Sequence, residues 1–176
     1  MDIRVLASSS AGNAYHITDG TTALLLEAGI PFAKIQKGCE FRVSQLAGCL
    51  ITHEHMDHCC AARELIRRGV NVYASSGTIA AQGLSGHHVT AILSKQQFRV
   101  GSFEVMPFDV EHDAAEPLGF LIASTITKEK LLFVTDTFYL RYRFAGLTHL
   151  MIECNYERDI LMRQVESGSI SPHHAA

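Results

Sequence analysis

The chain has 176 residues, and its 15 Lys and Arg against 18 Asp and Glu leave a net charge of −3 at pH 7. With 47% hydrophobic and 19% charged residues, the composition is typical of a folded globular protein and excludes a disordered or low-complexity chain. The near-neutral charge also argues against a broad nucleic-acid-binding surface. Because no linker rich in Pro, Ser or charge interrupts the chain, we expect one domain over residues 1–176.

Apolar and alternating runs predict a chain that is rich in strands. Strands are expected at 2–7, 14–18, 22–26, 49–52, 70–74, 98–100, 103–110, 118–124, 131–134 and 147–154. Helical spacing is found at 31–37, 59–68 and 76–84, whereas the region through His87 and His88 is ambiguous. Many strands in succession with few helices between them favour two sheets packed face to face, with helices on the outside.

The cysteines and the apolar stretches bear on the location of the protein. The five cysteines are odd in number and show no C-x-x-C spacing, so we expect small buried hydrophobes rather than a disulfide framework. No apolar stretch approaches the roughly 18–20 residues that cross a bilayer. The N-terminus has no basic lead into a long apolar segment. We therefore expect a cytoplasmic protein that has no membrane partner.

The densest group of chemically active side chains directly follows the apolar strand at 49–52. Here the sequence T-H-E-H-M-D-H places His53, His55, Asp57 and His58 within six residues. Side chains two apart on an extended chain point the same way, so His53 and His55 can grip one cation. Asp57 and His58 can face a second ion or complete the first. Such nitrogen and oxygen ligands suit zinc, iron or manganese. The alternative, a solvated loop, would pack imidazoles that repel one another as they titrate.

This H-x-H-x-D-H motif resembles the signature of the metallo-β-lactamase superfamily, and the order of the later parts is similar. His112 follows the strand at 103–110, and Asp136 follows the strand at 131–134. The resemblance implies an α/β (α+β) fold, a four-layer αββα sandwich of two mainly antiparallel sheets with outer helices. It also implies two sets of ligands: His53, His55 and His112 on one ion, and Asp57, His58 and Asp136 on the other, with Asp136 bridging the two.

Two further segments narrow the branch of the family. Residues 6–15, L-A-S-S-S-A-G-N-A-Y, and 24–29, L-L-L-E-A-G, look like the small bacterial and phage hydrolases of this superfamily, some of which are nucleases. The resemblance implies a metal-dependent hydrolase, foremost a phosphodiesterase or nuclease, whose substrate is nucleic acid or another phosphodiester. Zinc is the expected ion, with manganese and iron as alternatives, at one or two ions per chain. A metal-activated hydroxide would attack phosphorus, with Asp57 orienting it or accepting its proton and Asp136 fixing the ion spacing.

The chain departs from the family pattern at two places. Glu27 stands where family members usually carry an Asp that supports a ligand His, so it either does that work or is an exposed strand end. Near the C-terminus, relatives supply one more metal-binding His, but residues 166–171 read E-S-G-S-I-S, with Ser169 at that position. The C-terminal part therefore looks shortened. His173 or His174 could substitute, from this chain or a neighbour; otherwise the second ion is weakly held or absent.

Other readings of the sequence stay open. One is a metal-binding protein of the same fold with an incomplete second site and little or no catalysis, and another is a thioester or lactone hydrolase. Residues 8–13 either approach the site with their backbone or form a plain turn. Three arginines at helical spacing either meet phosphates or form an ordinary solvated face: Arg63, Arg67 and Arg68. The sequence does not indicate the oligomeric state.

Overall fold

The computed structural model describes residues 1–153 and residue 167. Within that part of the chain the strands are β1 (Asp2–Ala7), β2 (Ala14–Thr18), β3 (Ala23–Leu26), β4 (Gly48–Leu50), β5 (Val72–Ala74), β6 (Val89–Ala91), β7 (Phe98–Val100), β8 (Phe103–Asp109), β9 (Leu118–Ser124), β10 (Lys130–Val134) and β11 (His149–Ile152). The helices are α1 (Phe32–Gly38), α2 (Met56–Cys59), α3 (Ala62–Arg67) and α4 (Ser76–Gln82), with a 3-10 turn at Val43–Gln45.

The first sheet has the order β1-β2-β3-β4-β5-β6. β1, β2 and β3 pair antiparallel, whereas β3 to β6 pair parallel, so this sheet contains more parallel pairing than expected. The reason is that parallel neighbours need a crossover, which α1, α2 with α3, and α4 provide in turn. The carboxyl ends of β3, β4 and β5 consequently meet at one edge of the sheet.

The second sheet has the order β11-β10-β9-β8-β7. Its strands pair antiparallel except for β10 and β11, which are parallel. The turn between β7 and β8 contains Gly101 and Ser102. The predicted pair of packed sheets is confirmed, with one strongly mixed sheet and one mainly antiparallel sheet.

The main core lies between the sheets. Leu24, Leu26 and Leu50 of the first sheet pack in one buried cluster with Phe103 and Phe133 of the second. The opposite face of the first sheet is buried as well. Leu25, Cys49 and Ile51 pack there with Ile35 of α1 and Leu65 of α3. A sheet covered on both faces needs continuous apolar strands, which explains the unbroken run A-L-L-L in β3.

A loop covers the outer face of the second sheet in the described residues. Side chains of this loop pack against that face: Leu140, Tyr142, Phe144 and Leu147 contact the cluster of Phe108, Val110, Leu132 and Val134. The described helices pack on the first sheet. None of these helices is long and apolar enough to cross a membrane.

Several predicted elements differ from the structure by one or two residues at their ends, and two predictions differ more than that. Strand β6 has only three residues, all at least partly exposed, so its strand character comes from pairing with β5 and not from an apolar pattern. The helix predicted at 59–68 is split into α2 and α3, because the amide of Ala61 donates to the carbonyl of Ala28 between them. The predicted roles of Ser169, His173 and His174 lie outside the described residues.

Candidate metal centre

The H-x-H-x-D-H motif lies at the carboxyl end of β4, where the chain enters α2. His55 is still extended, with φ −61° and ψ 144°, and α2 begins at the next residue, Met56. His53 and His55 therefore belong to the extended segment and Asp57 and His58 to the first turn of the helix. The change from extended to helical backbone at Met56 brings the two pairs of side chains close together.

Three imidazole nitrogens form the first cluster. His53 Nε2 lies 3.1 Å from His55 Nδ1, which lies 3.2 Å from His112 Nε2. Ligand atoms about 2.0–2.1 Å from a tetrahedral zinc ion would be about 3.3 Å apart. The spacing of the three nitrogens therefore fits an ion of this size, and the three residues form a possible ligand group.

A second cluster shares His53 with the first. The Oδ2 atom of Asp136 lies 2.7 Å from His58 Nε2 and 3.5 Å from His53 Nε2. Asp57 Oδ2 lies 3.4 Å from the same nitrogen of His58. The structure thus brings all six predicted ligands together, with Asp136 between the two clusters, and their binding of metal stays a prediction.

Two carboxylates that sequence reasoning missed hold the loop carrying His112. Glu54 Oε1 accepts the N–H of Ala115 at 2.7 Å, and Glu116 Oε2 accepts the N–H of Gly77 at 2.8 Å. The loop is thereby tied to the metal motif on one side and to α4 on the other. The position of Glu54 between His53 and His55 is the only signal in the sequence that pointed to it.

Asp136 is held in an unusual backbone conformation. Its φ is +43°, in the left-handed region that non-glycine residues seldom adopt. Its N–H donates to Glu153 Oε2 at 3.0 Å, and the N–H of Glu153 donates to Val134 O at 3.0 Å. Glu153, another residue that sequence reasoning missed, therefore fixes the turn after β10 that presents Asp136.

Glu27 lies beneath the second cluster and is fully buried, so its interpretation as an exposed strand end is wrong. Its Oε1 accepts the N–H of Thr52 at 3.2 Å, and its Oε2 lies 3.6 Å from Nδ1 of His58. Burial raises the pKa of this carboxyl, and the nearby imidazole of His58 and the hydrogen bond from Thr52 only partly offset that rise. Glu27 supports His58 from the side opposite Asp136.

The segment at residues 8–13 forms a turn, in which the N–H of Gly12 donates to the carbonyl of Ser9, and it also contacts the motif with its backbone. The N–H of Asn13 donates to the carbonyl of Asp57 at 2.8 Å, and Asn13 Nδ2 lies 3.5 Å from His58 Nε2. A Cβ on Gly29 would lie 1.5 Å from the Asp57 carbonyl, so this approach requires glycine. Gly12, at φ +148°, is also required to be glycine, because a Cβ there would lie 2.1 Å from the carbonyl oxygen of Gly29.

Among the described residues, none of the three arginines that could meet phosphates contacts this centre. Arg67 and Arg68 pair with Glu64 on the exposed side of α3. Arg63 donates to the carbonyl of Gln82. These contacts favour the interpretation of an ordinary solvated helix face.

Two imidazoles of the first cluster, those of His53 and His112, are kept neutral by their surroundings. Burial, followed by the charges of His58 and His112, lowers the pKa of His53 to about 3. Burial also lowers the pKa of His112. Because metals bind the neutral form of imidazole, these two side chains are already in the state that a cation needs.

The second cluster carries charge. Burial would lower the pKa of His58, but the hydrogen bond to Asp136 and the nearby carboxylate of Glu27 outweigh it and raise the pKa to about 10. The hydrogen bond from His58 holds the pKa of Asp136 well below its usual range, against the opposing effect of burial. His58 and Asp136 are therefore an imidazolium–carboxylate pair in this structure.

Four imidazoles and two carboxylates form a donor set that suits zinc, manganese and iron. Comparison with curated proteins gives relatives named for DNA cleavage. Exodeoxyribonuclease YycJ of Bacillus anthracis is 31% identical over 89% of this chain and 64% of its own length. Exodeoxyribonuclease WalJ of Streptococcus pneumoniae is 29% identical over 89% of this chain and 63% of its own length. The chain thus spans a little under two thirds of these relatives.

Solved structures share the fold. The metallo-β-lactamase fold protein YhfI of Bacillus subtilis superposes with a TM-score of 0.67 at 18% identity, over 88% of this chain and 71% of that one. A metallo-β-lactamase of Cronobacter sakazakii superposes with a TM-score of 0.68 at 12% identity, over 98% of this chain and 82% of that one. At these identities the likeness shows the fold alone, and it agrees with the predicted sandwich. With the two clusters, this fold indicates divalent metal binding.

The family model described as the beta-lactamase superfamily domain matches residues 22–176. This range contains all six predicted ligands and most of both sheets. The chain therefore belongs to the beta-lactamase superfamily.

Proposed function

We propose that this protein is a metal-dependent phosphodiesterase that cleaves DNA, with zinc as the ion in its first cluster. The observation that carries the proposal is the pair of ligand groups that share His53 and meet at Asp136. Two ions held side by side suit an in-line displacement at phosphorus. The relatives named exodeoxyribonucleases support the choice of DNA.

In this proposal the first ion is held by His53, His55 and His112, and the second by Asp57, His58 and Asp136. When bound, the ions lower the pKa of water and stabilise negative charge on the phosphate oxygens. The chain's own residues fix where this happens. Asp136 sets the distance between the clusters because its carboxylate reaches nitrogens of both His53 and His58.

Asp57 is the candidate proton acceptor. Its side chain is 34% exposed, whereas that of its neighbour His58 is only 1% exposed. Since its Oδ2 lies 3.4 Å from His58 Nε2, this oxygen borders the second cluster and also faces solvent. It can therefore orient an attacking water or accept its proton.

Hydrolysis of bis(4-nitrophenyl) phosphate and of an end-labelled oligonucleotide tests the proposal. With zinc or manganese added, the unsubstituted protein should cleave both substrates, and His55→Ala should lower turnover at least about 100-fold, because an ion ligand is lost. The control is His87→Ala, which removes an exposed imidazole elsewhere in the chain. Equal turnover by the His55 and His87 variants would refute the proposal.

Elemental analysis of the same preparations distinguishes the proposed phosphodiesterase from a metal-binding protein without catalysis. Two ions per chain together with diester cleavage support the phosphodiesterase. One ion per chain without cleavage of either substrate contradicts it and favours the metal-binding protein.

A further inference from the structure

The loop that follows Asp136 carries two exposed aromatic side chains. Phe138 is 65% exposed and Tyr139 is 64% exposed. The ring of Phe138 lies 6.4 Å from the ring of His112. Tyr139 is three residues beyond Asp136, so their Cα atoms are at most about 11 Å apart. The two rings therefore border the candidate metal centre.

Hydrogen bonds fix these aromatic residues relative to the metal centre. Thr137 Oγ1 accepts the N–H of Glu111 at 3.1 Å and donates to the carbonyl of Tyr139 at 3.0 Å. The N–H of Phe138 donates to the carbonyl of Glu111 at 3.0 Å. Glu111 directly precedes His112, so the aromatic pair and this predicted ligand belong to one connected piece of backbone.

The residues after the pair alternate between the sheet and solvent. Leu140, Tyr142 and Phe144 pack against the outer face of the second sheet. Arg141 and Arg143, between them, are exposed. Because the inward side chains anchor the segment, its cationic side chains are held toward solvent, a few residues beyond the two exposed rings.

The charges along this segment favour an anionic partner. Arg141 pairs with Glu111, and Lys95 pairs with Asp109 at 3.4 Å. Arg143 is exposed and forms no ion pair with any described residue, so its positive charge faces solvent on a chain whose net charge is −3. The aromatic–basic strip, defined as Phe138–Arg143 with the side chains pointing to solvent, therefore combines ring faces with positive charge.

We propose that the aromatic–basic strip binds a single-stranded segment of DNA, with bases stacked on Phe138 and Tyr139 and phosphates facing Arg141 and Arg143. Paired bases in a duplex stack on one another, so only an unpaired strand offers its bases to protein rings. Exposed rings with adjacent cations are the elements that single-strand-binding grooves use. This inference rests on the proposed function and names the form of substrate that reaches the centre.

Binding to a fluorescein-labelled single-stranded oligonucleotide, measured by anisotropy in EDTA, tests the strip without cleavage. Tyr139→Leu and Phe138→Leu should each weaken binding roughly 5- to 100-fold, because each removes a stacking surface. Tyr139→Phe keeps the ring and should bind within about twofold of the unsubstituted protein. The matched control is Phe41→Leu, since Phe41 is 72% exposed but lies outside the strip.

Two results would overturn the inference. One is binding by Tyr139→Leu that is no weaker than binding by Phe41→Leu. The other is equal affinity of the unsubstituted protein for a blunt duplex of the same sequence, which would overturn the single-strand assignment. Failure of the proposed function would look different, because bis(4-nitrophenyl) phosphate would then stay intact whatever the binding assay gives.

Discussion

Glu54 shows how a side chain outside the ligand set can control where a ligand lies. Its carboxylate is the acceptor for the N–H of Ala115, 61 residues away, and so holds the loop of His112 against the metal motif. Glu54→Ala removes that acceptor. We expect metal affinity to fall about 10- to 100-fold, as for other residues that orient a ligand. Competition with a coloured chelator measures the change.

The matched variant is Glu54→Gln, whose amide oxygen can still accept the bond. It should keep metal affinity within a few-fold of the unsubstituted protein. If Gln weakens metal binding as much as Ala does, the charge of Glu54 matters more than its hydrogen bond, and the positioning role is wrong.

Sequence reasoning identified the six residues that meet at the candidate centre, and Glu27 beneath them, but it missed Glu54 and Glu153. His53, His55, Asp57 and His58 are close along the chain, so their spacing alone predicts a shared site. His112 and Asp136 needed the resemblance to a family. Glu54 and Glu153 act through single hydrogen bonds to distant backbone, and no local pattern records such a contact.

Between elements, Asp19 joins the two sheets. It lies in the turn between β2 and β3, and its Oδ2 accepts hydrogen bonds from Ser102 and Ser124 of the second sheet, each at 2.6 Å. The N–H groups of Thr21 and Thr22 donate to its other oxygen. Burial raises the pKa of this carboxyl, but these bonds outweigh burial and lower the pKa to about 2.

This shift predicts how stability depends on pH. The folded pKa of about 2 is below the unfolded value of about 3.9, so Asp19 stabilises the fold above pH 4 and loses this effect as pH falls toward 2. The full contribution is about 2 kcal/mol, and about half of it should be lost by pH 3. Urea unfolding of the unsubstituted protein and Asp19→Asn at pH 7, 5, 4 and 3 measures the change.

The difference in unfolding free energy between these two proteins should be constant from pH 7 to pH 5. It should then shrink by about 1 kcal/mol by pH 3. A difference that stays constant down to pH 3 would show that the ionised carboxylate is not what joins the sheets.

Most elements could be predicted from the sequence because their apolar patterns are local. β1, β2 and β9 lie at the predicted residues, since each alternates or is fully apolar between turn residues. The elements that were predicted wrongly depend on contacts between residues that are distant in the sequence. β6 exists through its pairing with β5, and the break between α2 and α3 follows from a hydrogen bond to Ala28.

At the scale of the whole molecule, metal and fold should stabilise each other. The six predicted ligands come from the end of β4, from α2 and from the loops after β8 and β10, so an ion bound there connects both sheets. A ligand at about 1,000 times its Kd adds about 4 kcal/mol to stability. For a chain of this length that corresponds to roughly 10 °C in Tm.

We therefore expect EDTA to lower the Tm of metal-loaded protein by roughly 10 °C. His55→Ala should show little change on adding EDTA, because it lacks a ligand, whereas His87→Ala should behave like the unsubstituted protein. Differential scanning fluorimetry gives all three values. A drop of the same size in His55→Ala would mean that the stabilising ion sits elsewhere.

The position of Asp136 beside both His53 and His58 has a consequence for how the protein matures. During synthesis His53 and His55 leave the ribosome some eighty residues before Asp136. Two imidazoles without further ligands bind a cation only weakly. The second ion position needs β10 in place and Glu153 bonded to the turn after it. We therefore expect metal loading to be completed only after both sheets have formed.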